Sequence, residues 1–182
     1  MKNRFKMLIS FVLFSLILLF CKGGDPNVPG ETKENPLSFH VSDFASGKVE
    51  VKKLYLAVKG IPLTDIYSYT YKKKKFSSST PTEEKAKAFY FPIVPKDFNY
   101  QKDEITTFVH ATPTEFKKLT NGFKSFINLK SDEKVLKGRR KALFKVPKVI
   151  LDAYAHPKGA NVVSFKVADP KKLITIDFDS IE

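Results

Sequence analysis

The only cysteine of this 182-residue chain, Cys21, stands at the end of an apolar run near the N-terminus. Lys2, Arg4 and Lys6 precede this run, which extends over residues 7–20. A basic start followed by a short apolar segment is the pattern of an export signal. The run is shorter than the ~20 apolar residues that a membrane-spanning helix needs. With one cysteine the chain cannot form an internal disulfide, so burial of apolar side chains must stabilise its domain.

Composition divides the chain into three parts. Residues 1–20 form the predicted signal peptide, and residues 21–36, rich in Gly, Pro, Asn and charged residues, are typical of a flexible tether. Residues 37–182 form a predicted single domain that is long enough to bury a core. The chain is 42% hydrophobic and 13% aromatic, a composition that argues against disorder.

The junction at Cys21 resembles the signal of a bacterial lipoprotein. Leu18 matches the apolar residue that this family carries three places before its cysteine, whereas Phe20 replaces the family's usual small residue. The resemblance implies that Cys21 is acylated, with chains such as palmitate, and becomes the first residue after the signal is removed. Two or more acyl chains give stable membrane anchoring. A signal-anchor with an unmodified cysteine is the alternative interpretation.

Relaxed junctions of this kind are similar to those of spirochaetes, and the chain resembles leptospiral surface lipoproteins in size. The resemblance implies a lipid-anchored outer-membrane protein, exposed at the cell surface, with a role in host interaction and virulence. Members of that group bind complement regulators such as C4b-binding protein and factor H, which serves complement evasion, or plasminogen, matrix components and glycosaminoglycans. The resemblance alone supplies this ligand list, because no residue pattern selects one ligand.

Apolar residues at every second position predict a domain built mainly of strands. The predicted strands cover residues 37–42, 48–58, 66–71, 88–94, 105–110, 123–129, 142–146, 161–167 and 173–178. Pro92 predicts that its strand lies on an edge or ends there, residues 59–62 are typical of a turn, and the last two strands are expected to form a hairpin. A mostly β, sandwich-like domain or an α+β domain fits this order.

Two short helices are expected to interrupt the strands. Thr112 can cap the first helix, Pro113 suits its first turn, and Glu115 completes a capping box. The second begins at Pro147 and continues to Ala155.

An excess of basic residues favours anionic ligands. The chain has 32 Lys and Arg against 19 Asp and Glu, and removal of the signal lowers the formal charge by three, from +13 to +10. Such a charge favours phospholipid surfaces, sulfated glycans or acidic protein patches, whereas nucleic acid is not expected for an exported lipoprotein. The candidate basic patch consists of Lys72, Lys73, Lys74, Lys75, Lys137, Arg139, Arg140, Lys141, Lys145 and Lys148.

The segment 138–145, GRRKALFK, is similar to linear heparin-binding patterns, with a spacing that differs by one residue. Arginine contacts sulfate or carboxylate groups through two hydrogen bonds, which a merely solubilising surface does not need. We expect Arg139 and Arg140 at a turn that precedes the strand 142–146. A charged hairpin tip without a ligand explains the same residues equally well.

Tyr67, Tyr69 and Tyr71 occupy alternate positions and are expected to line one face of a strand. A tyrosine face offers a large contact area with polar tips, which suits a ligand. Cross-strand packing, with the hydroxyl groups at the solvent edge, is the other interpretation and the favoured one.

The sequence contains no recognisable catalytic motif. His40, His110 and His156 lie far apart, without a metal-ligand neighbour at a standard spacing. There is no phosphate-binding glycine loop and no nucleophile-elbow serine. Asp177 and Asp179 share one side of a predicted strand. They could bind a cation, or they are surface residues at the chain end. The sequence therefore predicts a protein that is not an enzyme and has no metal or other cofactor.

Three classes of function remain, and the sequence leaves the oligomeric state open. The first is a surface lipoprotein that presents its basic and tyrosine patches to host ligands. The second is a periplasm-facing structural or assembly lipoprotein of the envelope, which an exposed sheet edge or a tyrosine groove would favour. The third and least favoured is a hydrolase assembled from distant residues, which His110 or His156 beside a carboxylate in a cleft would favour.

Overall fold

The computed structural model describes residues 24–71, 82–122, 132–140, 146–155 and 164–182. In these ranges the strands are β1 Leu37–His40, β2 Tyr55–Pro62, β3 Ser68–Tyr71, β4 Ala86–Val94, β5 Glu104–Ile105, β6 Thr107–Ala111, β7 Lys134–Arg140, β8 Lys166–Val167 and β9 Ile174–Ile181. The α-helices are α1 Val41–Ala45, α2 Pro113–Gly122 and α3 Lys148–Ala155, and the 3₁₀ helices are Glu83–Lys85 and Pro170–Lys172.

Seven strands form one sheet in the order β1-β2-β7-β9-β6-β4-β3. β2 also pairs with β4, where Ile61 lies opposite Val94 and Pro62 opposite Ile93. This extra pairing closes β2, β7, β9, β6 and β4 into a ring, to which β1 and β3 add outer strands. β5 and β8 form a separate parallel pair. The prediction of a mostly β or α+β domain is confirmed, and α1 adds a third short helix to the two expected.

The ring buries apolar side chains on both of its faces. The inner core includes Leu56, Val58, Phe91, Ile93, Val109, Leu136 and Ile176. The outer core, which α3 covers, includes Ile61, Tyr90, Phe108, Ile150, Tyr154 and Phe165. β4 contributes side chains to both cores. Because both of its faces are buried, its sequence is a nearly continuous apolar run instead of an alternation of apolar and polar residues. The described strands, helices and core residues all lie between Leu37 and Ile181.

Two inward-facing glycines permit the close approaches that the ring requires. A Cβ on Gly60 would lie 2.6 Å from the Ile93 side chain, where β2 meets β4. A Cβ on Gly138 would lie 2.1 Å from the carbonyl oxygen of Asp177 in β9. Glycine inside a strand is typical of sites where another backbone comes close.

The predictions for residues 59–62 and for Pro92 are wrong. Residues 59–62 belong to β2, because pairing with β7 and β4 overrides the local turn signal. Pro92 lies inside β4, which has neighbours on both sides. One side of β4 pairs with β3 up to Tyr90 and with β2 from Ile93 onward. Pro92 stands between these two pairings, where a missing N–H breaks no ladder bond.

The predicted last hairpin is also wrong, because β8 pairs in parallel with β5 while β9 lies between β6 and β7. The structure has a strand, β7, at Lys134–Arg140. The strands expected at 123–129 and 142–146 fall wholly or mostly on residues 123–131 and 141–145, which lie outside the described ranges, as do residues 156–163. The first strand ends at His40, since His40 caps α1. The strand expected from residue 48 begins only at Tyr55.

Both predicted helices are present. The Thr112 N–H donates to Glu115 Oε2 at 2.7 Å, and the Glu115 N–H donates to Thr112 Oγ1 at 3.4 Å, which is the expected capping box. α2 places Phe116 against Phe89 with stacked rings 4.3 Å apart. α3 begins directly after Pro147.

Candidate functional site

A row of polar and aromatic residues crosses the outer face of the ring. The register places Arg139 opposite Asp177, Asp177 beside His110, and His110 opposite Tyr90. Residues paired across strands have neighbouring side chains. His110 Nδ1–H donates to Asp177 Oδ1 at 2.6 Å, and the Tyr90 ring packs edge-on against the imidazole with centroids 5.2 Å apart. Burial raises the pKa of the Tyr90 hydroxyl. His110 therefore lies beside a carboxylate, which is part of what would favour a hydrolase, although His110 itself does not line the adjacent groove.

An open groove of about 440 Å³ lies beside this row. Its lining includes Lys33, Glu34, Tyr55, Lys137, Arg139, Asp177 and Asp179. Lys33 Nζ donates to Asp179 at 2.9 Å, and this bond raises the pKa of the Lys33 ammonium. Lys137 pairs with Glu182. Arg139 is exposed and forms no ion pair within the described ranges, so it is the groove cation left for a ligand.

The fold separates the members of the predicted basic patch that lie in the described ranges. Lys137 and Arg139 lie on the outward face of β7, where their partners in β2 are Ala57 and Tyr55. Arg140 faces inward instead, so the prediction that Arg139 and Arg140 share a turn is wrong. Consecutive residues of a strand point to opposite faces of the sheet, which separates the two guanidinium groups.

Of the other basic residues of the patch, only Lys148 lies within the described ranges. Lys148 is exposed at the start of α3, which packs against β3 and β8. In the sheet, β2 and β4 lie between β7 and β3 on one side of the ring, and β9, β6 and β4 on the other. Lys72, Lys73, Lys74, Lys75, Lys141 and Lys145 lie outside the described residues, as does Cys21.

The tyrosine face is used mainly for packing. The rings of Tyr67 and Tyr69 lie 5.6 and 5.9 Å from the ring of Phe89. The Tyr67 hydroxyl donates to the Glu83 carboxylate, and burial together with this bond raises the pKa of Tyr67 to about 12. Tyr71, at the end of β3, is 45% exposed. Tyr71 is therefore the member of this face that is open to a partner.

A second polar cluster joins α1 to the segment that precedes β7. His40 Nε2–H donates to Glu133 Oε1 at 2.7 Å. The Ser42 N–H donates to His40 Nδ1 at 3.2 Å, so Nδ1 is the acceptor nitrogen, and Ser42 Oγ lies 2.6 Å from it. Lys59 Nζ lies 3.5 Å from Glu133 Oε2. The hydrogen bond from His40, together with the Lys59 ammonium, holds the pKa of Glu133 below its usual value.

This cluster combines a hydroxyl, an imidazole and a carboxylate in hydrogen-bond contact, the groups that nucleophilic catalysis by serine uses. It also has a structural role, since His40 is the N-cap residue of α1. The sequence showed only that His40 has no metal-ligand neighbour at a standard spacing. Ser42, two residues away, was a local signal for the contact, whereas Glu133 is 93 residues away and gave none.

Within the described part of the chain, no group of three His, Cys, Asp or Glu side chains could hold a metal ion. No helix in the same ranges has the length and apolar character needed to cross a membrane. The chain matches no protein-family model, and neither a curated protein nor a solved structure shows significant similarity to it.

Proposed function

We propose that this chain is an exported, lipid-anchored binding protein whose domain binds anionic groups of a macromolecular ligand on the outward face of β7. Arg139 is the principal contact. The observation that carries this proposal is an exposed arginine without an ion-pair partner in the described ranges, at the edge of a groove of about 440 Å³. β7 is paired with β2 on one side and with β9 on the other, so the Arg139 side chain extends from a strand whose backbone is fixed.

The chemistry of the groove limits the class of ligand. A guanidinium group binds sulfate or carboxylate through two parallel hydrogen bonds. Lys33 and Lys137 already have carboxylate partners, which leaves Arg139 as the cation of the lining without an ion pair in the described ranges. Sulfated glycosaminoglycans and acidic protein patches have the matching groups. The host ligands C4b-binding protein, factor H and plasminogen come from the lipoprotein resemblance alone.

Heparin affinity chromatography tests the proposal. Arg139→Ser should elute at a lower salt concentration than the unchanged protein, and Arg139→Lys should elute between them, because lysine keeps the charge but loses the two-bond contact. Lys148→Ser is the matched control, since Lys148 is an exposed cation on α3. Elution of Arg139→Ser at the position of the unchanged protein would contradict the proposal.

The lipid anchor rests on Cys21 and its apolar run, and the external location rests on the lipoprotein resemblance. Cys21→Ser should abolish partitioning into a detergent phase. Continued partitioning with an intact signal would favour the signal-anchor instead. Protease treatment of intact cells should remove the domain while a periplasmic control protein survives. Protection until the outer membrane is broken would favour the periplasm-facing structural or assembly role.

A second candidate function, hydrolysis, is favoured by the contact of Ser42 with His40 and of His40 with Glu133. His40 Nδ1 would accept the Ser42 proton as the hydroxyl attacks a carbonyl carbon, and Glu133 would stabilise the resulting imidazolium. A fluorophosphonate probe should then label the protein but not Ser42→Ala. Ser46→Ala is the matched control, because its hydroxyl donates to the Asp43 carbonyl oxygen instead. Absence of label on the unchanged protein would exclude this candidate.

A further inference from the structure

A larger pocket lies at one mouth of the ring, where β7 ends and where β6 and β9 begin. Its volume is about 770 Å³, within the usual range for small-molecule sites. The apolar part of its lining includes Phe44, Val49, Val51, Leu173 and Ile174. The polar part includes Glu50, Glu104, Thr106, Arg140, Lys171, Lys172 and Thr175. Val51 and Ile174 belong to the inner core, so the pocket continues the apolar interior of the ring.

Arg140 gives this pocket its charge. It is the last residue of β7 and lies on the same face as Leu136, which is fully buried in the inner core. Its Nη1 donates to the carbonyl oxygen of Val51 at 3.1 Å, and its Nη2 donates to that of Lys52 at 2.9 Å. These contacts hold the guanidinium in place, but both acceptors are neutral.

Two properties of Arg140 are therefore left uncompensated in the described part of the chain. No carboxylate forms an ion pair with it there, and its buried Nε has no hydrogen-bond partner. A buried donor without a partner and a cation without a counter-charge both destabilise a folded protein. An anionic group in the pocket would supply the missing counter-charge.

The carboxylates of the lining do not supply that counter-charge. Glu50 pairs with Lys52 at 3.0 Å, and Glu104 is exposed. Lys171 and Lys172, also exposed, stand on the short 3₁₀ helix at the rim and add positive charge. A cationic end beside an apolar wall matches a ligand that has an ionised head and a hydrocarbon tail.

We propose that this pocket binds an aliphatic carboxylate of medium chain length. The carboxylate contacts Arg140 and approaches Lys172, and the hydrocarbon chain lies along Val49, Val51 and Ile174. This site is separate from the groove on the outer face of β7, because Arg139 and Arg140 point to opposite faces of that strand. The two binding functions can therefore succeed or fail independently.

Isothermal titration of octanoate into the chain from Lys22 to Glu182 tests this proposal, since that chain contains the whole described fold. Octanoate should bind saturably and at least about tenfold more tightly than octanol, because a hydrogen bond to a charged group is stronger than one to a neutral group. Arg140→Met should weaken octanoate binding about tenfold or more. Arg139→Ser is the matched control and should leave octanoate affinity unchanged.

Lys172→Glu keeps the test decisive if Arg140→Met fails to fold, because Lys172 is exposed and outside the core. It should weaken octanoate binding several-fold without a change in the urea midpoint. The proposal is overturned if octanoate does not saturate the protein, or if octanol binds equally well. It is also overturned if Lys172→Glu binds octanoate as the unchanged protein does, or if Arg139→Ser weakens octanoate as much as Arg140→Met.

Discussion

Replacement of Gly138 by alanine tests the central feature of the fold, the close packing of β7 against β9. Gly138 pairs with Leu56 on one side and with Phe178 on the other. An added Cβ would lie 2.1 Å from the carbonyl oxygen of Asp177 and 2.5 Å from Ile176 Cγ2. Because the nearest atom belongs to the backbone, no change of side-chain rotamer can remove the clash. β9 would have to move away from β7.

The expected loss of stability follows from this geometry. Overpacking costs about 1–3 kcal/mol when neighbouring side chains can adjust. Here the backbone must move, and each ladder hydrogen bond lost adds about 1 kcal/mol. We therefore expect Gly138→Ala to lower the free energy of unfolding by about 3 kcal/mol or more, a large part of the about 5–15 kcal/mol of an ordinary domain.

Gly47→Ala provides a control of the same chemistry. Gly47 has φ +74°, but no atom lies within 4 Å of the position that an added Cβ would take. Its alanine should cost about 1–2 kcal/mol from left-handed backbone strain alone. Urea unfolding of the chain from Lys22, followed by circular dichroism, measures both variants. If Gly138→Ala is no more destabilising than Gly47→Ala, Gly138 is not packed against β9. That result would favour the expected turn at Arg139 and Arg140 over the strand β7.

Three further predictions concern packing and charge. Tyr154→Phe should lower the free energy of unfolding by about 1–2 kcal/mol, because the buried Tyr154 hydroxyl donates to the carbonyl oxygens of Ile66 and Tyr90 at 2.7 and 2.9 Å. An unchanged urea midpoint would contradict this. Phe116→Ala should cost about 3–5 kcal/mol by leaving a cavity against Phe89, and Phe116→Leu should cost clearly less in the same assay. Since the pKa of Glu133 is lowered from 4.5, its contact with His40 stabilises the fold fully above pH 4.5 and is lost as the pH falls through the lower folded pKa. The stability advantage over Glu133→Gln should shrink in that acid range, and a constant advantage would refute the contact.

Signals carried by neighbouring residues predicted local structure well. The capping box at Thr112 and the start of α3 after Pro147 are present as expected, because caps depend on contacts within one helical turn. The apolar run at 88–94 is a strand, and its burial on both faces explains why it does not alternate. The sequence predicted the pairing partners of the strands less well. Residues 59–62 carry a turn signal, yet pairing with β7 and β4 keeps them in β2.

The candidate sites show the same division. The sequence indicated a concentration of arginines before residue 141, but it could not show that Arg139 faces a groove while Arg140 faces the ring interior. The orientation of both follows from the register of β7 against β2. The approach of Glu133 to His40 likewise depends on contacts across 93 residues. None of these contacts leaves a pattern in the segments that form them.

By itself, the sequence determined that the domain is mostly β, where two helices begin, and that no internal disulfide stabilises it. These properties depend on composition and on interactions within a few residues. Only the tertiary structure decided that the sheet closes into a ring, that β9 lies between β6 and β7, and which face each arginine occupies. The physical reason is that strand neighbours and register depend on distant segments, and a shift of one residue moves every side chain of a strand to the opposite face.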